Sequence, residues 1–329
     1  MPQNLCNQDC HFCSYRMSGW KNNAEFSERD RIPWDVMVAL LLELKYTGVK
    51  GIEVTGGGEP LAYPDRRRLF EVLVQSNFDI GLVSNGTLLN KEFAKEFGPH
   101  LTWARISIDA GTVETYRKVR KVPSRHWTQA WEAVAKLREN WGNPDRNRLG
   151  VGFVVTNENY KEIPSAVELA GLHGADNIRI SVRQGPGGNG YYKPGVLEEA
   201  AQLAQECSEW GVQVVDLISE RVRNNQAEIQ DYPSCPSKDL LCVIGGDSKV
   251  YTCCTLAFNP AGLVGDLLKE SFSSIWFSEV TRRRMLALDP RQHCKVPCLY
   301  EKRNREMIAM LDGPPSSDPP PDHPHKAFI

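Results

Sequence analysis

The chain has no stretch of about 18 or more apolar residues, and no charged-then-apolar leader stands ahead of its first cysteine. A membrane-spanning helix and a secretory route are therefore not expected, and the reading is a soluble, cytoplasmic protein. It also lacks an excess of either charge: 39 Lys and Arg stand against 41 Asp and Glu, a net charge of −2. That balance gives no global electrostatic reason to expect nucleic acid or an anionic membrane as a partner. The densest basic run, Arg282-Arg283-Arg284, reads as a solvated helix face. Low complexity is missing until Gly313, where the proline-rich stretch through His325 is too poor in packing residues to fold. His323 and His325 in that tail are not expected to be ligands. What remains is a chain of 329 residues with 41% apolar content, enough for one sizeable domain and a smaller one.

Cysteine is not scarce: there are 10, grouped toward the two ends. In a reducing compartment such grouping favours metal ligation over disulfides. Cys6, Cys10 and Cys13 follow the spacing C-x3-C-x2-C and have no obvious local fourth partner. Structural metal sites normally supply four protein ligands, so three thiolates with an open corner point to a reactive iron–sulfur centre. A zinc knuckle or a disulfide cluster is the alternative, although zinc sites usually show paired C-x2-C elements. Residues 51–60, Gly-Ile-Glu-Val-Thr-Gly-Gly-Gly-Glu-Pro, run from an apolar strand into a glycine-rich turn. Such a turn lets backbone approach a ligand closely, and its carbonyls together with Glu59 can receive an ammonium group.

The cysteine spacing, followed by Gly57-Gly58-Glu59-Pro60, resembles the signature of radical S-adenosylmethionine (SAM) enzymes. The resemblance implies that Cys6, Cys10 and Cys13 hold a [4Fe–4S] cluster whose unique iron binds SAM, and that the Gly57-Gly58-Glu59 turn receives its amino group. It implies reductive cleavage of SAM to a 5′-deoxyadenosyl radical that abstracts hydrogen from a substrate. Phe12 matches the aromatic that commonly lies beside the adenine in this family. A reductase such as flavodoxin or ferredoxin is the implied electron source.

Between the cysteine groups, β-rich runs at 51–55, 79–84, 103–109, 149–155, 176–182 and 212–216 alternate with helical stretches. Pro33 fits the first turn of a helix carrying Trp34, Val36, Met37, Leu40, Leu41 and Leu44 toward a core. Further helices are expected over 65–76, 90–97, 126–141, 160–172 and 196–210. Such alternation implies parallel strands with right-handed crossovers, an α/β fold. The family resemblance makes it a partial (β/α)6, TIM-like barrel over residues 1–216, with ligands at the C-terminal ends of the strands. Ser84 and Asn85 match the family's third-strand motif that approaches SAM; the plainer reading is an Asn-Gly turn. Ser107 and Asp109 are expected to alternate on one strand face and to point together into the barrel; the resemblance implies a place near ribose or substrate, and a purely structural Asp109 is the alternative. Asn157 and Asn159 read as turn formers. Arg183 is suited to a carboxylate, of SAM or of substrate, or to a surface ion pair. Gln184–Gly190 reads as a loop over the substrate or a passive linker.

The second cysteine group begins at Cys235. Cys242 to Cys253 reads as a β-hairpin, a helix is expected around 271–288, and Cys294-Lys-Val-Pro-Cys298 follows. This group resembles the SPASM or twitch extensions of radical SAM enzymes. It implies a smaller domain over 217–305 with an auxiliary [4Fe–4S] cluster, for which Cys235, Cys253, Cys294 and Cys298 are the chosen ligands. Cys242 or Cys254 could substitute, and zinc on the same thiolates is the alternative. No full seven-cysteine set is visible, so one auxiliary cluster is expected rather than two. The glycine usual five residues before the hairpin cysteine is replaced by Ser248. Cys207 reads as a core thiol on a helix, or as a hydrogen-atom donor.

Two departures accompany the match. Only five residues precede Cys6, so the family's first strand is very short or the chain is truncated. The family's GxIxGxxE pattern is not recognisable around 149–158. Residues 306–329 are taken as a tail. The expected reaction is oxidation or rearrangement of a peptide or small polar metabolite, by an oxidoreductase or a peptide or natural-product maturase. The reading from another class is an iron–sulfur electron carrier or a zinc-stabilised binding module.

Overall fold

The computed structural model describes residues 1–17, 24–143, 147–185, 187–219, 222, 230–294, 298 and 300–312. The proline-rich segment from Gly313, with His323 and His325, lies outside the described residues.

Six strands form one sheet in sequence order, every pairing parallel: β1 Gly51–Val54, β2 Asp79–Ser84, β3 Leu101–Ser107, β4 Arg148–Val155, β5 Asn177–Val182 and β6 Gln213–Asp216. β1 and β6 are the two edges and do not pair, so the barrel is open. The helices between the strands are α1 Trp34–Tyr46, α2 Arg66–Gln75, α3 Lys91–Phe97, α4 Val113–Arg120, α5 Arg125–Glu139, α6 Ile163–Leu172 and α7 Val196–Glu206. Pro33 stands just ahead of α1 rather than in its first turn, and Met37, Leu40, Leu41 and Leu44 are the residues that α1 buries.

Strand alternation separates two environments. Ala104 and Ile106 of β3, Leu149, Val151, Phe153 and Val155 of β4, and Ile178 and Ile180 of β5 are buried in the core that the helices complete. Trp103, Arg105 and Ser107, then Gly152 and Val154, then Arg179 and Ser181, occupy the opposite, partly exposed face. A period of two in the sequence thus gives the barrel a polar interior inside an apolar shell.

β3 stops at Ser107, two residues short of the expected end. Asp109 lies beyond the strand with φ of 60°, a left-handed conformation, so Ser107 and Asp109 do not share a strand face. The reason is a competing set of bonds: the Asp109 carboxylate is drawn to Arg120 and to the Val154 amide. α4 was not expected at all. Thr112 caps it, and Glu162 accepts from the Gly111 and Thr112 amides and the Thr112 and Thr115 hydroxyls.

The remaining chain carries a three-stranded antiparallel sheet, β7 Val243–Ile244, β8 Lys249–Tyr251 and β9 Leu263–Asp266. The expected hairpin is present, and Ser248 in its turn has φ of 62°. A glycine would be at ease in that conformation. The single helix expected over 271–288 is two, α8 Phe272–Trp276 and α9 Glu279–Ala287, because Ser278 caps the second. α10 Pro290–His293 leads to Cys294, and α11 Glu301–Asp312 runs through the expected boundary at 305, so residues 306–312 are helical. Arg282, Arg283 and Arg284 are exposed on α9, as expected of a solvated face. Cys207 is buried, one residue past the end of α7.

Candidate active site

The three N-terminal cysteines lie on a loop laced to distant parts of the barrel. The amides of Asp9 and His11 donate to the carbonyls of Arg120 and Val119 at the end of α4. Asn7 donates to the Thr87 hydroxyl at 2.8 Å and accepts from Asn85 at 2.8 Å. The Gln8 side chain bonds Tyr116 at 3.1 Å, and its backbone carbonyl accepts from Arg16 at 2.6 Å. Arg120, buried, gathers this region: it donates to the Ile108 carbonyl, to the Gln8 side chain and to Asp109. Burial alone would favour its neutral form, but the Asp109 charge outweighs that and holds the guanidinium protonated. Of these, Asn7, Gln8, Arg16 and Arg120 carry no local pattern in the sequence. Their partners lie up to 112 residues away, and no local pattern marks such contacts.

The donor set suits a metal cluster. Burial raises the thiol pKa of Cys6 and Cys13 and pushes Cys10 up to about 12, and the three are close enough to raise one another further. Left alone they would stay protonated. A bound cationic centre is what would make all three thiolates. Backbone N–H groups already point at two of the sulfurs: Gln8 donates to Cys6, and Tyr15 and Arg16 donate to Cys13. Arg120 provides a positive charge beside Cys10.

The glycine turn packs directly on the chain preceding Cys6. The Gly58 amide donates to the Gln3 carbonyl and the Glu59 amide to that of Leu5. A Cβ on Gly57 would lie 2.6 Å from both Asn4 Oδ1 and Phe26 Cε2, and one on Gly58 would strike the Leu5 carbonyl. Close approach, rather than left-handed backbone, is why glycine stands at both positions. Glu59 is buried and accepts from the Leu61 amide at 3.0 Å, the Ser84 hydroxyl at 2.7 Å and the Asn85 amide at 2.8 Å. A carboxylate offers about four acceptor positions, so one is left for a ligand. Burial raises the Glu59 pKa against the pull of these three donors. Ser84 and Asn85 therefore bind the glycine turn to the cysteine loop, and Gly86, with φ of 78°, completes the Asn-Gly turn.

Phe12 is buried with its edge to His11. Ser107 ends β3 on the inner face. Arg183 is buried with its guanidinium 3.8 Å from the centre of the Tyr191 ring, and it touches Met17, four residues past Cys13. It is buried rather than on the surface. Asn157 and Asn159 act as turn formers, Asn159 accepting from the Thr156 amide and donating to the carbonyls of Asp109 and Val154.

In the second group, Cys298 feels the charges of Cys253, Cys235 and Cys294, so the four chosen residues are neighbours although 63 positions separate the first from the last. Polar groups meet these sulfurs. Thr255 and Leu256 amides donate to Cys253, the Tyr300 amide to Cys298 at 3.3 Å, and Asn304 Nδ2 to Cys235 at 3.4 Å. Such bonds are the means by which proteins tune cluster sulfurs. Cys242 instead sits by the chain's amino terminus, burial holding its pKa up to about 12 with no N–H at its sulfur. Cys254 pairs with Tyr300 and lies near Glu53 of the barrel. Among the described residues no three His, Cys, Asp or Glu side chains converge tightly enough to grip one metal ion.

A profile of the radical SAM superfamily matches residues 1–170. The chain belongs to that superfamily. It is 27% identical over 180 residues, 54% of its length and 48% of the relative's, to the tungsten-containing aldehyde ferredoxin oxidoreductase cofactor-modifying protein of Pyrococcus furiosus. To the mycofactocin maturase MftC of Mycobacterium tuberculosis it is 23% identical over 286 residues, 82% of this chain and 67% of that one. The chain spans about half the length of the first of these relatives. Among solved structures it is similar to Streptococcus suis SuiB bound to the precursor peptide SuiA, with TM-score 0.64, 14% identity and coverage of 87% and 65%. It is also similar to anSMEcpe with bound AdoMet and a Cp18Cys peptide, with TM-score 0.62, 14% identity and coverage of 94% and 93%. These likenesses show the fold: a partial barrel followed by a cysteine-rich extension. Among the described residues no helix is long and apolar enough to cross a membrane.

Proposed function

We propose that this chain modifies a peptide, or a small polar metabolite, by radical SAM chemistry. Cys6, Cys10 and Cys13 hold the reactive [4Fe–4S] cluster, and Cys235, Cys253, Cys294 and Cys298 hold an auxiliary one. When bound, the first cluster and SAM would supply radical chemistry that abstracts a hydrogen atom from the substrate. The chain's residues do the rest. Gly57 and Gly58 bring backbone to the ligand, Glu59 offers its remaining acceptor position to the SAM ammonium, and Ser84 and Asn85 fix that carboxylate. Phe12 would flank the adenine, and Ser107 would line the interior beside ribose or substrate. Asp109 acts through Arg120 to position the loop rather than touching ligand. Arg183 is offered to a carboxylate from beside Met17. A flavodoxin- or ferredoxin-type reductase is the electron source, and residues 1–216 and 217–305 are the two functional units.

The observation that carries this reading is the joining of the cysteine loop to the glycine turn through Asn7, Asn85 and Glu59. An electron carrier would have no use for the second half of that arrangement. Peptide as the favoured substrate is supported by the likeness to MftC, SuiB and anSMEcpe. Anaerobically reconstituted, dithionite-reduced protein should release 5′-deoxyadenosine from SAM, and Cys10→Ala should abolish the release. Intact iron–sulfur absorption with no release would overturn the proposal in favour of an electron carrier.

A further inference from the structure

Two arginines on the barrel's inner face have no part in the machinery above. Arg105 of β3 stands opposite Gly150 of β4, and Arg179 of β5 stands opposite Gly152, two residues along the same strand. β4 thus places glycines where side chains would otherwise divide them. A Cβ on Gly152 would lie 3.4 Å from Arg105 Cδ, so the Arg105 side chain leans across Gly152 toward the strand that carries Arg179. The two backbones are two strand spacings apart, roughly 10 Å, a gap two arginine side chains can span.

Among the described residues neither guanidinium has a hydrogen bond or an ion pair; Arg105 lies 5.5 Å from the centre of the Trp103 ring, and both side chains are partly buried. Burial lowers the Arg105 pKa and brings Arg179 down to about 10, with the charge of Arg105 pushing Arg179 further the same way. Glu53 of β1 is the one carboxylate whose field reaches both, from outside contact distance. Asp109 also acts on Arg105, and Glu53 itself is exposed, so neither cation has a close carboxylate partner. Tyr300, next but one to Cys298, also lies within their field, which sets the pair between the barrel interior and the second cysteine group.

We propose that Arg105 and Arg179 together bind an oxyanion of the substrate, a carboxylate or a phosphate, inside the barrel. Assigning that anion to the substrate rests on the radical SAM reading above. An oxyanion would satisfy both forks by charge-assisted bonds in a site of low polarity, and arginine is the side chain suited to that geometry. The inference narrows the substrate class to acidic peptides or phosphorylated metabolites.

Phenylglyoxal, which attacks the neutral guanidine, tests this on the reconstituted full chain, with modified positions read by mass spectrometry. Inorganic phosphate or succinate should protect both Arg105 and Arg179 and leave exposed Arg282 unprotected. Protection by phosphate alone indicates a phosphorylated substrate, and protection by succinate indicates an acidic one. In Arg179→Gln, anion protection of Arg105 should fall at least tenfold. Protection of Arg105 and Arg179 by neither anion, or equal protection of Arg282, overturns the inference. The assay consumes no SAM: protection without 5′-deoxyadenosine release sinks the radical SAM reading alone, and release without protection sinks the anion site alone.

Discussion

At the scale of single residues, the reactive loop depends on Arg120. Three groups compete for its guanidinium, and each belongs to a different part of the site: the Ile108 carbonyl after β3, the Gln8 side chain between Cys6 and Cys10, and the Asp109 carboxylate. Lysine carries the same charge but cannot reach three acceptors in a plane. Arg120→Lys should therefore leave the buried Asp109 carboxylate poorly paired, at a cost of about 3 kcal/mol. A urea unfolding midpoint lowered by that amount, at unchanged slope, is the expected result; a midpoint within about 0.5 kcal/mol of wild type would show that the pair is not structural. The proposed ligands could be read from sequence, because C-x3-C-x2-C and Gly-Gly-Glu-Pro are local patterns. Arg120 could not. An arginine on the inward face of a short helix reads as a break in amphipathic periodicity, which is also why α4 went unrecognised.

At the scale of elements, the strand–helix alternation was readable because each parallel strand is an apolar run with a turn after it. The ends were less so. The hydrophobic run through Ile108 made β3 look two residues longer than it is, and nothing in that run shows Asp109 turning away to meet Arg120. The break between α8 and α9 rests on Ser278, one polar residue whose hydroxyl accepts from the Thr281 amide at 3.0 Å. The departure noted at Ser248 has a physical meaning in the hairpin. Its φ of 62° places a buried Cβ in the left-handed region, which costs roughly 1–2 kcal/mol per non-glycine residue, less the extra chain entropy that glycine loses on folding. Ser248→Gly should accordingly raise stability by up to about 1 kcal/mol. Ser248→Val should lower it, and urea midpoints of the two variants should move in opposite directions. Movement in the same direction would show that something other than backbone strain governs the turn.

At the scale of the molecule, the two cysteine groups lie at opposite ends of the sequence and meet through the barrel. The amino terminus of Met1 donates to the Ile244 carbonyl at 2.8 Å, Tyr15 and Phe26 pack on Phe258, and Glu43 of α1 accepts from the Ser273 amide at 2.7 Å. A cluster at either end thus belongs to one packed body, while each thiolate set remains chemically separate. Separate sets predict separate losses. Cys10→Ala should remove about four irons per chain and leave the rest, and Cys298→Ala should remove a different four, as two cubane clusters require. Cys207→Ala and Cys254→Ala should keep the full complement, since Cys207 is enclosed in the core and Cys254 faces Tyr300 and the barrel interior. Iron analysis after anaerobic reconstitution checks all four variants together. If Cys254→Ala lost iron while Cys294→Ala did not, the auxiliary ligand set would have to be redrawn around Cys254. The glycine turn, the cysteine loop and the Arg105–Arg179 pair would stand unaltered, because none of them draws on the second set for its geometry.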